Sequence, residues 1–395
     1  MRLLSLSDFL ACSFYNLTIY YILATIMYVV AKPNMRKTTP VKTTTKNTLA
    51  AALAATMLIT TGTTALAAPH PTNHLGKNCV WAPHIGPNIQ RCTIYSKANH
   101  KNFTVDFRIK NKTAPVMDLY EGLLNAPVNG NLIRGAGNFA DSLANTNVTI
   151  VAPALDVNGT LQADAEGGVL NQGHPWKIRT FYLKEIPAYM HKNWGISPKT
   201  RRIGVGVSMG ASGLASTAFA TGYYSDILLL SGLYNFTTPI IGRTTALSMA
   251  SLSGSVPLYM SEKSWAANDP ANPQNLQKLK NMHVTMQAAT GVMNPVTGEI
   301  NPLDPINTIA RFTTGKVLEI GAAVAAHTFL ASVNLYAPQY AKNVSLYQKL
   351  LGTHSWQNWR SSLYDDGMLV SFLEKAGIDA SHVVKINTWT GYPSR

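Results

Sequence analysis

The stretch that decides the fold is "GVGVSMGASGLASTAFA", Gly204 to Ala220, in a chain of 395 residues. An apolar "IGVGV" runs into Ser208, and a run of small residues, "GASGLASTAFA", follows. The first reads as a buried strand and the second as a helix, with a tight turn between them. Gly206 and Gly210 leave room for that turn and let Ser208 take a strained backbone that lifts its hydroxyl above the sheet edge. The helix start adds backbone N–H groups able to face a developing oxyanion. The plainer reading is a glycine-rich turn with an ordinary serine, so Ser208 needs partners elsewhere in the chain.

Gly206-Val207-Ser208-Met209-Gly210 fits G-x-S-x-G, and strand before and helix after are the context of the nucleophile elbow in an α/β-hydrolase. Other segments agree. "FTVDFRIKN" alternates like an early antiparallel strand, "PVMDLYEGL" is a second strand, and "NVTIVAPAL" a third, buried one. "WKIRTFYLKEIPAYMHKNWG" has helical periodicity with Phe181, Ile186, Tyr189 and Met190 on one face, and two more strands, "SDILLLSGLYN" and "HVTMQAATG", follow the elbow. This alternation predicts an α/β fold with a mostly parallel central sheet and helices on both faces. The segment from Pro239 to Ser264, rich in Ser, Thr, Gly and Met, stands where such folds insert a helical excursion over the site. Neither an internal repeat nor a low-complexity linker divides the chain after its leader, so residues 68–395 read as one domain.

With 46% hydrophobic and only 13% charged residues, the chain can bury a sizeable core. Its formal charge is +14, and residues 1–67 contribute six Lys or Arg against one acid. The remainder stays basic, which favours an anionic envelope or polymer surface. No Lys/Arg cluster interleaved with aromatics supports nucleic-acid binding.

Residues 1–67 read as a leader with two apolar segments. Phe9 to Ala31 carries no charge and is long enough to span a bilayer. From the internal Met35, a basic "MRKTTPVKTTTKN", an apolar "TLAAALAATMLITTG" and the A-x-A site Ala65-Leu66-Ala67 form a signal peptide. Export to the cell envelope or beyond is the expectation, with membrane anchoring if residues 1–34 are retained. Beyond the leader only Cys79 and Cys92 remain, a pair without redox or zinc spacing, expected to form one structural disulfide.

In this fold the nucleophile is followed along the chain by an acid and then a histidine, which leaves His283, His327, His354 and His382 as bases. His283 lies in a strand, His327 in the helical "EIGAAVAAHTFLASV" and His382 in a tail. His354 stands in "LGTHSWQNW", a loop flanked by Trp356 and Trp359 that can exclude water around a general base. The acid must hold the imidazole tautomer and stabilise the imidazolium. Glu299, Asp304 and Glu319 all follow the strand ending near Gly291, and position alone does not separate them.

"PVMDLYEGLLN", "GVSMGASG", "NDPANPQNLQKLKN" and above all "GTHSWQNW" resemble the mycolyltransferases of mycolic-acid bacteria, the antigen 85 family, from about Tyr95 to Leu373. The resemblance implies Ser208 as nucleophile, His354 as base and Glu319 as acid, with the backbone N–H groups of Leu123 and Met209 as oxyanion hole. It also implies a substrate contact by Glu121, where the family has an Asp; Trp356 is a further candidate for the substrate site, where it would keep water out. Leu124 replaces the family's Arg, which removes a strong charge-assisted donor.

The activity so implied is transfer of a mycolyl group from trehalose monomycolate, through a serine ester, to trehalose monomycolate or arabinogalactan. It needs neither metal nor organic cofactor. Two other readings remain: a secreted carboxylesterase with water as acceptor, and a cell-surface binding protein without turnover.

Overall fold

The computed structural model describes residues 74–123, 132–155, 162–169, 175–237, 242 and 261–387. All of them belong to the compact unit Pro69–Arg395. The expected leader, residues 1–67, Leu124 and nearly all of the Pro239 to Ser264 segment lie outside the described residues.

Nine strands form one sheet, in the order β1 (Cys79–Trp81), β2 (Gln90–Ser96), β3 (Lys101–Arg108), β5 (Thr149–Ala154), β4 (Val116–Tyr120), β8 (Arg202–Val207), β9 (Asp226–Leu230), β10 (His283–Ala289) and β11 (Val344–Lys349). From β5 through β11 every neighbouring pair is parallel. β1, β2 and β3 pair antiparallel, and β3 meets β5 antiparallel. A separate hairpin joins β6 (Asp164–Val169) to β7 (Pro175–Lys177). The principal helices are α1 (Ile186–Trp194), α2 (Met209–Thr221), α3 (Glu262–Asn268), α4 (Pro305–Ala310), α5 (Lys316–Tyr336), α6 (Trp356–Arg360) and α7 (Met368–Lys375).

The central strands are apolar throughout because both faces are covered. Ile227 and Leu229 of β9 enter one core, packed with Met190, Leu214, Ala218 and Phe329 from α1, α2 and α5. Leu228 and Leu230 enter the other, with Phe139, Trp359, Met368 and Phe372. In β8 the same period of two explains the alternating glycines. Ile203, Val205 and Val207 fill the second core. Gly204 and Gly206 face α2, where an added Cβ would stand 2.6 Å from Leu214 Cδ1 and 2.7 Å from Ala211 Cα respectively. The missing side chains let the elbow helix lie directly on its strand.

The predicted α/β fold is present, with local differences. "FTVDFRIKN" forms β3, antiparallel as expected, but β1, β2 and β11 complete the sheet without having been singled out in the sequence. Trp176 and Lys177 belong to β7, so the expected helix starts at Ile178 and passes through a π turn at Phe181–Glu185 before α1. Phe181, Ile186 and Met190 are buried, whereas Tyr189 is half-buried. The strand expected over "PVMDLYEGL" stops at Tyr120, which leaves Glu121 to Leu123 as loop. Cys79 and Cys92 face each other across β1 and β2 and form the expected disulfide.

Candidate active site

β8 ends at Val207, and Ser208 makes the turn into α2 with φ 55° and ψ −121°, a backbone that costs strain in any residue but glycine. Its N–H donates to the Leu230 carbonyl at 2.7 Å, fastening the turn to the end of β9. A side chain at Gly210 would overlap the Tyr120 and Glu121 carbonyls, so the elbow closes against the end of β4 only with glycine there.

His354 reaches this serine from the loop between β11 and α6. Its Nε2 lies 2.7 Å from Ser208 Oγ, and its Nδ1 lies 3.1 Å from Glu319 Oε2. With Nδ1 protonated and donating to the carboxylate, Nε2 is free to accept the serine proton. Glu319, in the first turn of α5, is fully buried. Its Oε1 accepts from Ala289 N–H at 2.7 Å and from Ser231 Oγ–H at 2.9 Å. These bonds fix the carboxylate, and the ends of β9 and β10 thereby set where His354 can sit. Of the three acids left open by the sequence, Glu319 is the one that touches the histidine.

The other two do different things. Asp304 caps α4 by accepting from Asn307 N–H. Glu299 is fully buried, and its Oε1 accepts from Thr353 N–H at 2.8 Å, Thr353 Oγ1–H at 2.5 Å and Ser355 Oγ–H at 2.6 Å, while Oε2 accepts from Asn294 N–H at 2.6 Å. Glu299 therefore holds both neighbours of His354. The histidine's own N–H donates to Gly315 O at 3.0 Å. Among the remaining histidines, His283 pairs with Asp226 at 3.1 Å and His327 with Gln348 at 3.2 Å, while His382 is exposed.

The tryptophans wall this loop. Trp359 packs edge-on to His354 with centroids 4.9 Å apart, and its indole N–H donates to Ser231 Oγ at 2.8 Å. Trp356 packs edge-on to Trp359 at 5.1 Å and is half-buried.

Met209 is the first residue of α2, where helix geometry provides no intrahelical acceptor for its N–H. Leu123 follows Gly122, and an added Cβ on Gly122 would stand 3.7 Å from Ser208 Cβ, so this loop runs alongside the nucleophile. Glu121 is turned inward: it is 4% exposed, and its carboxylate accepts from Leu132 N–H at 2.9 Å. Contact with a sugar requires that bond to be shared or released. Among the described residues no group of three or more His, Cys, Asp and Glu side chains comes together as a metal site.

Ser231, Glu299 and Asn358, whose amide lies 3.4 Å from Glu319 Oε1, were not read as part of the site. Ser231 closes "DILLLS", and a polar residue ending so apolar a strand was the available signal. Glu299 was named only as a rival for the acid.

A parallel sheet, a strained serine on a strand-to-helix turn, and a histidine and buried carboxylate in line with it define an α/β-hydrolase with the site of a serine hydrolase. The chain belongs to the Esterase family, whose model matches residues 96–368. Among solved structures it is similar to MPT51 (FbpC1) of Mycobacterium tuberculosis, at 17% identity over 71% of this chain and 96% of that one, with a TM-score of 0.53. It is also similar to an S-formylglutathione hydrolase from Agrobacterium tumefaciens, at 12% identity over 76% and 99% of the two chains, with a TM-score of 0.51. At such identities the likeness is one of fold.

Proposed function

We propose that this protein is an exported acyltransferase that takes a mycolyl group from trehalose monomycolate onto Ser208 and passes it to a sugar hydroxyl, of a second trehalose monomycolate or of arabinogalactan. One observation carries the reading. The residues of "GTHSWQNW", on which the resemblance to mycolyltransferases chiefly rests, act as one physical unit around the nucleophile. Gly352 takes φ 145° where an added Cβ would meet the Asn358 side chain. Thr353 and Ser355 bind Glu299, His354 meets Ser208, and Trp359 reaches Ser231.

The chemistry follows from those positions. His354 Nε2 takes the Ser208 proton as Oγ attacks the ester carbonyl, and Glu319 stabilises the imidazolium. The N–H groups of Met209 and Leu123 receive the oxyanion. His354 returns the proton to the departing sugar oxygen, leaving an acyl ester on Ser208. A second sugar hydroxyl then gives its proton to the same Nε2 and attacks the ester; the bond to Ser208 Oγ breaks, Nε2 returns the proton to that oxygen, and the sugar leaves with the acyl chain. The intact relay disfavours a binding protein without turnover.

Hydrolysis is the second reading, and a specific observation favours it. Glu121 faces Leu132 rather than solvent, and Leu124 replaces the arginine, so two expected sugar contacts are weakened or lost. Incubating the leader-free protein with trehalose monomycolate separates the two. Transfer yields dimycolate and free trehalose, both lost in Ser208→Ala. Free mycolic acid without dimycolate, from trehalose or arabinogalactan mixtures alike, supports hydrolysis and contradicts transfer.

A further inference from the structure

Large apolar side chains exposed to solvent are not scattered over this molecule. Apart from Leu75, Val80 and Tyr95, every one recorded among the described residues lies between Val292 and Leu351. Among these, Leu303 is 94% exposed, Leu350 81%, Ile306 79%, Val296 76%, Leu335 69%, Ile309 63% and Phe312 61%. Leu303, just before the Asp304 cap, Ile306 and Ile309 of α4 and Phe312 in the turn after it recur at three-residue spacing, and α4 buries no side chain fully. A helix that buries none of its side chains fully and carries such residues presents an interaction surface.

This arm is bound to the catalytic loop. Gly352 N–H donates to Val292 O, His354 N–H donates to Gly315 O, and Arg311 Nε donates to Glu299 O at 2.7 Å. The same stretch presents almost no negative charge. Its carboxylates are Glu299 and Glu319, both fully buried, and Asp304, which turns back to cap Asn307. Lys316 is exposed, with Nζ 5.8 Å from the Phe312 ring centroid, while Lys349 is paired with Asp366.

An apolar face beside the exposed Lys316, with the half-exposed Asp304 as its one carboxylate outside the core, carries more cationic than anionic character and matches a lipid surface bearing anionic headgroups. The helical run Pro305–Tyr336 is long and apolar enough to cross a bilayer by length and composition. However, Ala325, Ala326, Phe329 and Val333 pack in the protein core, so the helix is placed to lie on a lipid surface, not to span it.

We propose that the face built on Leu303, Ile306, Ile309 and Phe312 docks the protein on an anionic lipid surface, beside the loop that carries His354. It extends the glycolipid reading, and rests on it only for the identity of the natural surface. Docking there would let an amphiphile reach Ser208 without its acyl chain crossing water.

The test uses the exported protein after its host has removed the leader, mixed with vesicles of phosphatidylglycerol and phosphatidylcholine in equal parts. The wild type should co-sediment with these vesicles. Ile306→Asp/Phe312→Asp should bind them at least tenfold more weakly while turning over a soluble short-chain ester at the wild-type rate. Equal vesicle binding by wild type and double variant overturns the proposal, as does no binding by the wild type. A wild-type dimer in sedimentation that the double variant breaks, without vesicle binding, also overturns it, in favour of a second copy as the occupant. Since the vesicles contain no mycolate, their binding is read independently of turnover: vesicle binding by a protein that yields no dimycolate in the separate incubation with trehalose monomycolate would sink the transferase reading and leave the docking face standing.

Discussion

Glu319 Oε2 lies 3.1 Å from His354 Nδ1 while Glu319 Oε1 is held by Ala289 N–H and the Ser231 hydroxyl. One oxygen anchors the carboxylate to the sheet and the other orients the imidazole. Glu319→Gln keeps the shape but offers an amide where the histidine needs an anionic acceptor. Its kcat on a soluble ester should fall about a thousandfold or more, with KM little changed. Steady-state kinetics on the purified variant checks this, and a loss under tenfold would remove Glu319 from the relay.

Glu299 acts on His354 through Thr353 and Ser355. Its four donors are neutral, and removing the carboxylate would orphan them in a buried site. Glu299→Ala should destabilise the fold by roughly 3 kcal/mol in urea unfolding. Glu299→Gln, which keeps part of the acceptor set, should lower kcat about tenfold or more with a smaller loss of stability.

Arg108 carries a pH prediction. It is 1% exposed, donates from Nη1 to Ala140 O at 3.1 Å, and finds no acceptor for Nε or Nη2 among the described residues. Burial lowers its pKa to about 9, against a weaker opposing pull from Asp141. A cation with a depressed folded pKa holds fewer protons folded than unfolded above that value, so stability from this group rises as pH climbs through about 9. Arg108→Met should therefore stabilise the protein by about 1–3 kcal/mol at neutral pH. That advantage should shrink between neutrality and pH 10, as read from thermal midpoints of the two proteins in matched buffers.

The disulfide ties β1 to β2, at the end of the sheet away from β9 and β10. Cys79→Ser/Cys92→Ser should cost about 3 kcal/mol or less by loop entropy. Turnover of a soluble ester well below the melting temperature should stay at the wild-type level.

Ser208 and His354 were legible in the sequence because each carries its own local context, a strand and helix for one and a tryptophan-walled loop for the other. Glu319 was not separable from Glu299 and Asp304 by position, since the choice depends on how the chain between β10 and α5 folds back over the His354 loop. The parallel core strands announced themselves as apolar runs. By contrast β11, at the sheet edge, is half-buried along most of its length, and "VSLYQK" has no strong period to mark it. Ser231 and Asn358 become site residues only through contacts with chain far away in sequence, a relation that no local pattern expresses.

The central claim is that an acyl chain rests on Ser208 between donor and acceptor. The most direct measurement is the intact mass of the leader-free protein after brief mixing with trehalose monomycolate, followed by peptide mapping. A mass increase of one mycolyl group on the peptide containing Ser208, absent from Ser208→Ala and discharged by added trehalose, is the predicted result. Dimycolate formed at the wild-type rate by Ser208→Ala, or an adduct mapped to another residue, would contradict it.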